Sequence, residues 1–295
     1  MSCTPVFAAT EVAITVDDLP THGQLPPGVS REDIARKMTA VLKKHSVPDP
    51  YAFINAGKVD VLGESAGTLK IWQEAGFPFG NHTYLHTGLN KQTAAEFSKE
   101  IEQNEPMLRR LSGEKDWHYF RYPFLREGET LEKRNAVRKY LADHGYKIAQ
   151  VTIDFEDWSW NDPYARCKEK GDEKAMSWLE KTYLQNATEH LERARILQKG
   201  LFKREIPHVL LLHIGAFDAE MLDKLLTAYE KNGVKFVSLV QAEKDEVYAV
   251  DPGIAAKWGS ELTYQILNAR GKKLKDVGLM KYDGYPAAQL EKICL

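Results

Sequence analysis

The chain has few of the features that mark disulfide scaffolds, membrane proteins or nucleic-acid-binding proteins. It contains only three cysteines, so at most one disulfide can form and at least one thiol stays unpaired. No apolar stretch approaches the roughly 20 residues of a membrane-spanning helix. The formal net charge of −2 gives no general attraction to nucleic acid or to an anionic membrane. We therefore expect a globular protein without a membrane span or a nucleic-acid partner.

The rest of the composition is ordinary for a globular protein. Hydrophobic residues make up 43% and charged residues 28% of the chain. A length of 295 residues suits one large domain or one domain with an appendage. Near the N-terminus, Val6-Phe7-Ala8 followed by Ala9-Thr10 resembles the small-residue pattern of a secretory cleavage site. We expect a periplasmic or secreted protein, with an ordinary loose terminus as the alternative interpretation.

Short apolar runs alternate with helical patterns between residues 10 and 240. Val12–Val16 has the pattern of a buried strand, and Ser30 with Asp33 forms a capping sequence for the helix that follows. Further strands are expected at 51–55, 119–121, 148–153, 209–212 and 234–239. Repeated strand–helix units with polar residues after the strands predict an α/β barrel.

Two segments depart from this alternation. Residues 159–207 form a long, charged and mostly helical insertion, which we expect to lie over one side of the barrel mouth. Residues 241–295 contain Asp251-Pro252-Gly253 and a basic run, and we interpret them as a small C-terminal appendage to a catalytic barrel spanning 10–240.

Two adjacent carboxylates and two spaced histidines are the strongest chemical signals. Asp17 and Asp18 follow the first strand, and neighbouring carboxylates repel unless they share a cation or a proton or have different roles. A solvated turn is the alternative for this pair. His82 and His86 stand four residues apart, which would place them on one face of a helical turn, as a metal site needs.

Three further polar clusters follow predicted strands. Arg121-Tyr122-Pro123-Phe124 comes after one strand, Asp154-Phe155-Glu156-Asp157-Trp158 after another, and His213 ends the run Leu211-Leu212. Strands of a barrel carry their C-terminal residues to a common rim. We therefore expect these clusters to meet the aspartates and histidines at one barrel mouth.

These clusters resemble the motifs of a known enzyme family. The run Thr15-Val16-Asp17-Asp18 resembles the first motif of the NodB-homology polysaccharide deacetylases, which form carbohydrate esterase family four. The other matching segments are Gly80–His86, Arg121–Phe124, Asp154–Trp158 and Leu211–His213. Together they cover about residues 10 to 240. Val16, Leu19-Pro20 and Leu85 depart from the usual motif residues, which leaves the substrate preference open.

The resemblance implies a distorted (β/α) barrel of the polysaccharide deacetylase type that holds one divalent metal ion, usually Zn²⁺. The implied metal ligands are Asp18, His82 and His86. Asp17 would act as the general base, oriented by Arg121.

The same resemblance assigns the remaining motif residues. The backbone N–H of Phe124 would stabilise the oxyanion, and His213 would protonate the departing amine with Asp157 as its partner. The implied walls of the acetyl pocket are Trp158 and Leu211.

The expected activity is hydrolysis of the N-acetyl group of N-acetylglucosamine in a cell-envelope polysaccharide. Peptidoglycan is the first choice, and chitin oligomers, poly-N-acetylglucosamine and O-acetylated xylan are alternatives with the same chemistry. We expect a monomer whose partner is this glycan.

Two other classes of protein remain as alternatives. Gly63-Glu64-Ser65-Ala66-Gly67 fits the nucleophile elbow of serine hydrolases, but such an elbow needs a strand directly before Ser65. The other alternative is a glycan-binding protein that retains the fold and has lost catalysis. The retained aspartates and histidines argue against that alternative.

Overall fold

A curled parallel sheet forms the centre of the molecule. The computed structural model describes residues 9–295; the expected cleavage pattern at Val6–Ala8 and Cys3 lie outside this range. All strand pairs are parallel, in the order β5-β4-β3-β2-β1-β6, and β7 also pairs with β1. The strands are β1 Thr10–Leu19, β2 Tyr51–Ile54, β3 Phe79–Asn81, β4 Tyr119–Phe120, β5 Lys147–Ile148, β6 His208–His213 and β7 Val234–Val237.

One chain segment joins the two edges of this sheet. Residues 147–148 pair with β4, and five residues later Ile153 forms a parallel bridge to Leu210 of β6. The Leu211 N–H donates to the Ile153 carbonyl at 3.0 Å. The sheet therefore curls into the distorted barrel that the sequence predicted, although only Ile148 of the strand expected at 148–153 lies in the regular ladder of β5.

Helices cover the outside of the barrel. The cap predicted at Ser30 and Asp33 is a capping box in the structure, and Thr93 and Glu96 form another at the start of α4. The helices are α1 Arg31–Lys44, α2 Gly57–Asp60, α3 Gly67–Ala75, α4 Ala94–Ser112, α5 Leu131–Asp143, α6 Asn161–Lys170, α7 Glu173–Phe202, α8 Ala216–Lys231, α9 Leu239–Ala242, α10 Leu262–Ala269 and α11 Ala287–Lys292. None of the helices within residues 9–295 combines the length and apolar character that a membrane crossing requires.

The segment 159–207 is helical, as its pattern predicted. It forms α6 and the 30-residue α7. At the start of α6, the Asp162 carboxylate accepts the Gln24 N–H at 2.9 Å, and the Asn161 side chain donates to the Gln24 carbonyl at 3.2 Å. The insertion therefore supports the loop that follows β1 at the barrel mouth.

The C-terminal residues are fastened to the rest of the molecule at both ends. Cys167 of α6 and Cys294 form a disulfide. At the other end, the Leu262 N–H donates to the Val151 carbonyl at 2.7 Å, and Ala256 pairs with Gly128. Residues 250–262 consequently lie beside the loop that follows β4, next to the barrel mouth.

Candidate metal centre and active site

An irregularity at the end of β1 turns two consecutive aspartates toward one site. Side chains of consecutive strand residues normally point to opposite faces of a sheet. The pairing of β1 with β2 shifts register between Val16 and Leu19, and Asp18 has a left-handed backbone with φ of 73°. Asp17 and Asp18 are both buried and line the same cavity.

The two motif histidines also meet, but the predicted helical turn between them is wrong. Residues 82–88 are irregular, and Thr83 and His86 both have a left-handed backbone, with φ of 66° and 60°. The imidazole centroids of His82 and His86 lie 4.8 Å apart. A spacing of four residues is thus realised by a tight irregular turn instead of a helix.

Buried amide side chains hold this irregular turn in place. Asn55 donates to the carbonyls of His82 and Thr83 at 2.6 and 3.0 Å. The Asn81 side chain accepts the Thr83 N–H at 3.0 Å, and Asn104 of α4 donates to the same oxygen at 3.0 Å. These asparagines replace the backbone bonds that a helix would have provided. Sequence reasoning did not select Asn55 or Asn104, because a single asparagine after a strand or within a helix belongs to no motif.

Three ligand atoms converge at the end of the barrel. Ligand atoms of Asp18, His82 and His86 all lie within 4.8 Å of one another. Asp18 Oδ1 lies 3.2 Å from His86 Nε2 and 3.6 Å from His82 Nε2, and this buried oxygen has no hydrogen-bond donor among the described residues. One carboxylate and two imidazoles are a common donor set for Zn²⁺. The orphaned oxygen and the facing nitrogens therefore fit a divalent cation.

The protonation of the histidines favours the same interpretation. Burial lowers the pKa of His82 well below its ordinary value and lowers that of His86 to about 4, so both rings are neutral near pH 7. His82 Nδ1 lies 2.8 Å from the Arg121 carbonyl and donates to it, which leaves the Nε2 lone pair directed at Asp18. A neutral imidazole with a fixed tautomer is the form that binds metal.

Two side chains that sequence reasoning missed contact Asp18. The side chain of His22, in the loop after β1, is only 21% exposed, and its Nδ1 lies 2.7 Å from Asp18 Oδ2. Lys58 Nζ lies 3.4 Å from Asp18 Oδ1 and donates to the carbonyls of Asp18 and Thr21. Although burial alone would raise it, Lys58, His86 and His22 hold the pKa of Asp18 well below its ordinary value. Asp18 is therefore a carboxylate.

Arg121 holds the second aspartate. Its Nη1 donates to both carboxylate oxygens of Asp17 at 3.2 and 3.3 Å, while Nε and Nη2 donate to the Ala149 carbonyl and Thr15 Oγ1. Burial raises the pKa of Asp17 to about 7, against the opposing effect of the guanidinium. The planar Phe53 ring lies 4.7 Å below that guanidinium. Asp17 is thus fixed in orientation beside the candidate metal ligands Asp18, His82 and His86.

The loop after β4 adds an aromatic residue in a left-handed conformation. Phe124 follows Pro123 with φ of 58°, and its ring lies 4.5 Å from the His86 ring. The side chain is half exposed and lines the cavity. The Arg126 guanidinium lies 4.9 Å from the Phe124 ring.

His213 ends β6 next to Asp17 and is paired with a buried carboxylate. His213 Nδ1 lies 2.8 Å from Asp157 Oδ1, and the backbone N–H of His213 donates to Asp157 Oδ2 at 2.7 Å. Although burial alone would lower it, Asp157 raises the pKa of His213 to about 10. The imidazole is therefore charged near neutral pH.

A second buried carboxyl group stands behind this pair. Burial and repulsion from Asp157 raise the pKa of Asp218 well above its ordinary value, so Asp218 is a neutral acid. It accepts a hydrogen bond from the Tyr183 hydroxyl at 2.8 Å. Although burial alone would raise it, the charge and hydrogen bonds of His213, and after them a hydrogen bond from Asp218, lower the pKa of Asp157, so this fully buried group remains ionised.

Eight of the ten residues proposed from the sequence motifs line one cavity of about 600 Å³; the other two are Arg121 and Asp157. Arg121 and Asp157 are buried behind it and act on lining residues. Trp158 is 45% exposed at the mouth, whereas Leu211 is nearly buried in the wall. Tyr122, Asp154 and Glu156, which belong to the motif clusters expected at the barrel mouth, also line the cavity. Sequence reasoning did not place His22, Arg126 or Trp258 there.

Ser65 does not have the geometry of a hydrolytic nucleophile. It follows α2 and a turn, whereas a nucleophile elbow needs a strand directly before it. Its hydroxyl donates to the Glu32 carboxylate and accepts the Gly67 N–H at 3.0 Å, as a residue at a helix start does. It does not line the cavity that contains His213.

Comparison with known proteins confirms the family resemblance. Residues 7–149 match the family model described as polysaccharide deacetylase. The peptidoglycan-N-acetylglucosamine deacetylase of Bacillus cereus is 30% identical over 156 residues, which are 52% of this chain and 48% of that protein. The chain thus spans about half the length of this curated relative.

Solved structures show the same fold at lower sequence identity. The chitin deacetylase of the fungal pathogen Colletotrichum lindemuthianum has a TM-score of 0.55 and 20% identity, over 81% of this chain and 91% of that one. A CE4 family pseudoenzyme from Bacillus anthracis has a TM-score of 0.52 and 17% identity, over 79% of this chain and 65% of that one. The expected distorted (β/α) barrel is confirmed.

Proposed function

We propose that this chain, whose residues 7–149 match the polysaccharide deacetylase family model, is a metal-dependent hydrolase that removes the acetyl group from N-acetylglucosamine units of a glycan. The observation that carries the proposal is the convergence in one cavity of the Asp18–His82–His86 donor set, the Asp17–Arg121 pair and the charged His213. Amide hydrolysis needs an activated water, stabilisation of a developing oxyanion and a proton for the amine.

Asp18, His82 and His86 would hold a divalent cation, for which we propose Zn²⁺, and the cation would supply Lewis acidity toward water and the acetyl carbonyl. Asp17 accepts a proton from the attacking water. Arg121 keeps that carboxylate aimed at the cavity through its two bonds from Nη1. The first proton transfer of hydrolysis is therefore assigned to Asp17.

The remaining residues act on the carbonyl and on the leaving group. The backbone N–H of Phe124 donates to the acetyl oxygen as negative charge develops on it. His213 donates its Nε2 proton to the departing amine nitrogen, and Asp157 keeps the imidazole charged until that transfer. Trp158 and Leu211 border the space for the acetyl methyl group.

Peptidoglycan is the substrate we propose first. Its support is the curated relative from Bacillus cereus, whose name specifies peptidoglycan N-acetylglucosamine. Chitin oligomers, poly-N-acetylglucosamine and O-acetylated xylan need the same chemistry and are the alternatives to be measured. We also propose export to the periplasm or the medium, supported by the Cys167–Cys294 disulfide, because such bonds persist in oxidising compartments.

A glycan-binding protein without turnover is a second candidate function. The observation that favours it is the position of Lys58, whose ammonium lies 3.4 Å from the Asp18 oxygen that would face the cation. That ammonium supplies positive charge where a metal would supply it. Zn²⁺ affinity shows whether the lysine takes the place of the metal, and acetate release separates the two candidates.

The test is acetate release from purified peptidoglycan and from N-acetylglucosamine oligomers, with chelated protein and with added Zn²⁺. We expect release that depends on Zn²⁺, and the better substrate identifies the glycan. Glycan binding without acetate release in the presence of bound Zn²⁺ would favour the second candidate. Release that is unaffected by chelation would contradict the metal mechanism.

A pH experiment tests the role of Asp157. Asp157→Asn removes the charge that holds the proton on His213, so the pKa of His213 should fall from about 10 toward or below its ordinary value of about 6.5. At pH values below its lowered pKa, His213 of the variant is still protonated, and at pH values above that pKa it loses the proton. At pH 8 we expect kcat to fall by at least about tenfold.

Histidine NMR titration of the metal-free protein measures this pKa directly. Glu169→Gln, which removes an exposed negative charge from α6, serves as the control and should leave the pKa of His213 unchanged. An unchanged His213 pKa in Asp157→Asn would show that this carboxylate does not hold the imidazole in its charged form.

A further inference from the structure

The C-terminal segment brings an exposed tryptophan to the candidate active site. Trp258 is 77% exposed, although an indole ring is among the most apolar groups of the chain. It lines the 600 Å³ cavity together with Trp158 and Phe124. Residues after 241 were expected from sequence to form an appendage, and no motif in the sequence connects Trp258 with the site.

The position of Trp258 is built by specific contacts. On its N-terminal side, the Ala256 N–H donates to the Gly128 carbonyl at 2.9 Å, and the Asn90 side chain donates to the Lys257 carbonyl at 2.6 Å. On its C-terminal side, Gly259 has φ of 75°, and a Cβ there would lie 2.0 Å from the Phe124 carbonyl oxygen. The segment is therefore fastened directly to the loop that carries Phe124.

A second cavity of about 270 Å³ adjoins the first one. The two cavities share five wall residues, which are Phe124, Leu125, Asp154, Glu156 and Trp258. The outer wall of the second cavity comes largely from the C-terminal segment, through Ser260, Glu261 and Tyr264. A molecule that fills the active-site cavity and continues past Trp258 consequently enters this second space.

The chemistry of this wall suits a pyranose ring. An aromatic face packs against the apolar C–H face of a sugar. Carboxylate oxygens accept hydrogen bonds from sugar hydroxyls, and a serine hydroxyl can both accept and donate them. Trp258 provides the exposed aromatic ring. The Nζ of Lys257 lies 4.7 Å from the centroid of that ring. Glu156 and Ser260 provide polar groups.

We propose that the C-terminal segment forms a second sugar subsite, in which Trp258 binds the N-acetylhexosamine unit next to the one being deacetylated. The occupant is fixed by continuity, because a glycan chain extends beyond its reacting unit and this cavity adjoins the candidate active site through a shared wall. The subsite deepens the proposed function and rests on it. It makes the enzyme selective for chains over single sugars.

The test compares substrate lengths. We expect Trp258→Ala to lower kcat/KM for the N-acetylglucosamine tetramer by about tenfold, the effect of one lost aromatic contact, and to change the value for the monosaccharide by less than about twofold. Met280→Ala, which alters a 78% exposed apolar side chain outside both cavities, is the control and should act like the unmodified protein.

Calorimetric binding of the tetramer separates failure of the subsite from failure of the proposed activity. If the unmodified protein releases no acetate yet binds the tetramer about tenfold more tightly than Trp258→Ala does, the subsite stands and the deacetylase proposal fails. Equal losses on short and long substrates, or unchanged turnover and binding of the tetramer in Trp258→Ala, would overturn the subsite.

Discussion

Asp17→Asn is expected to lower kcat for acetate release by about 100- to 10,000-fold, which is the range for loss of a general base. Asparagine has nearly the same shape, but its amide has no lone pair basic enough to accept a proton from water. Asp17 is not one of the three residues whose ligand atoms converge, so the Zn²⁺ content of the variant should equal that of the unmodified protein. Metal analysis and kinetics on the same preparation check both parts.

The same substitution also changes stability, and this has to be measured separately. Arg121 is only 1% exposed, and Asp17 is the carboxylate to which it donates. Removal of one partner from a buried ion pair costs about 3–5 kcal/mol in typical cases. The bonds of Arg121 to Ala149 and Thr15 remain, so we expect a lower melting temperature and an intact fold. Activity within tenfold of the unmodified enzyme, in folded and metallated Asp17→Asn, would contradict the assignment of the base.

Sequence periodicity was sufficient to predict the barrel, because its central strands are buried on both faces. Val12–Val16 is apolar except for the buried Thr15, and the parallel partners on both edges of β1 explain why apolar and polar residues do not alternate there. The prediction that Asp17 and Asp18 lie at one site is confirmed. Consecutive strand residues normally point to opposite faces of a sheet, so they can share a site only where the strand bends. The register shift between Val16 and Leu19 is that bend.

The conformation of the histidine segment could not be derived from spacing alone. Residues at i and i+4 come together in a helix, but they also come together in a turn with two left-handed residues such as Thr83 and His86. What selects the turn is the set of buried bonds from Asn55 and Asn104, which lie on other elements. Such contacts connect residues far apart in sequence and leave no periodic pattern.

The remaining parts of the site were missed for the same reason. His22 and Lys58 each contact Asp18 from a separate loop or helix, and neither belongs to a motif. Trp258 reaches the cavity only because the C-terminal segment packs on the loop after β4. Motif reasoning finds residues that a reaction requires in every member of a family, whereas these contacts are set by the three-dimensional packing of this chain.

His86→Ala is expected to remove metal and activity together. Mutation of a residue in the second layer around a metal typically weakens affinity by 10- to 100-fold, so loss of a direct nitrogen ligand should weaken it by more than about 100-fold. The measurement is Zn²⁺ content after dialysis against a competing chelator. His144→Ala, which alters an exposed histidine at the end of α5, is the control and should bind metal like the unmodified protein. A His86→Ala protein that stays fully metallated would rule out the ligand assignment.

Substitution of Lys58 should have the opposite effect on metal binding, because Lys58 faces the Asp18 oxygen that would bind the cation. Its ammonium lies 3.4 Å from Asp18 Oδ1 and only 13% of its side chain is exposed, so its repulsion of a divalent cation is weakly screened. Lys58→Met removes that charge and replaces it with an unbranched apolar side chain of similar length. Two unit charges about 4 Å apart interact by about 4 kcal/mol at an effective dielectric constant of 20. We therefore expect Lys58→Met to tighten Zn²⁺ binding by at least about tenfold. If Zn²⁺ binds only to Lys58→Met, the lysine occupies the place of the metal and the glycan-binding candidate gains support. If both proteins bind Zn²⁺ and only His86→Ala loses it, the site holds a metal beside the lysine and the ligand assignment stands.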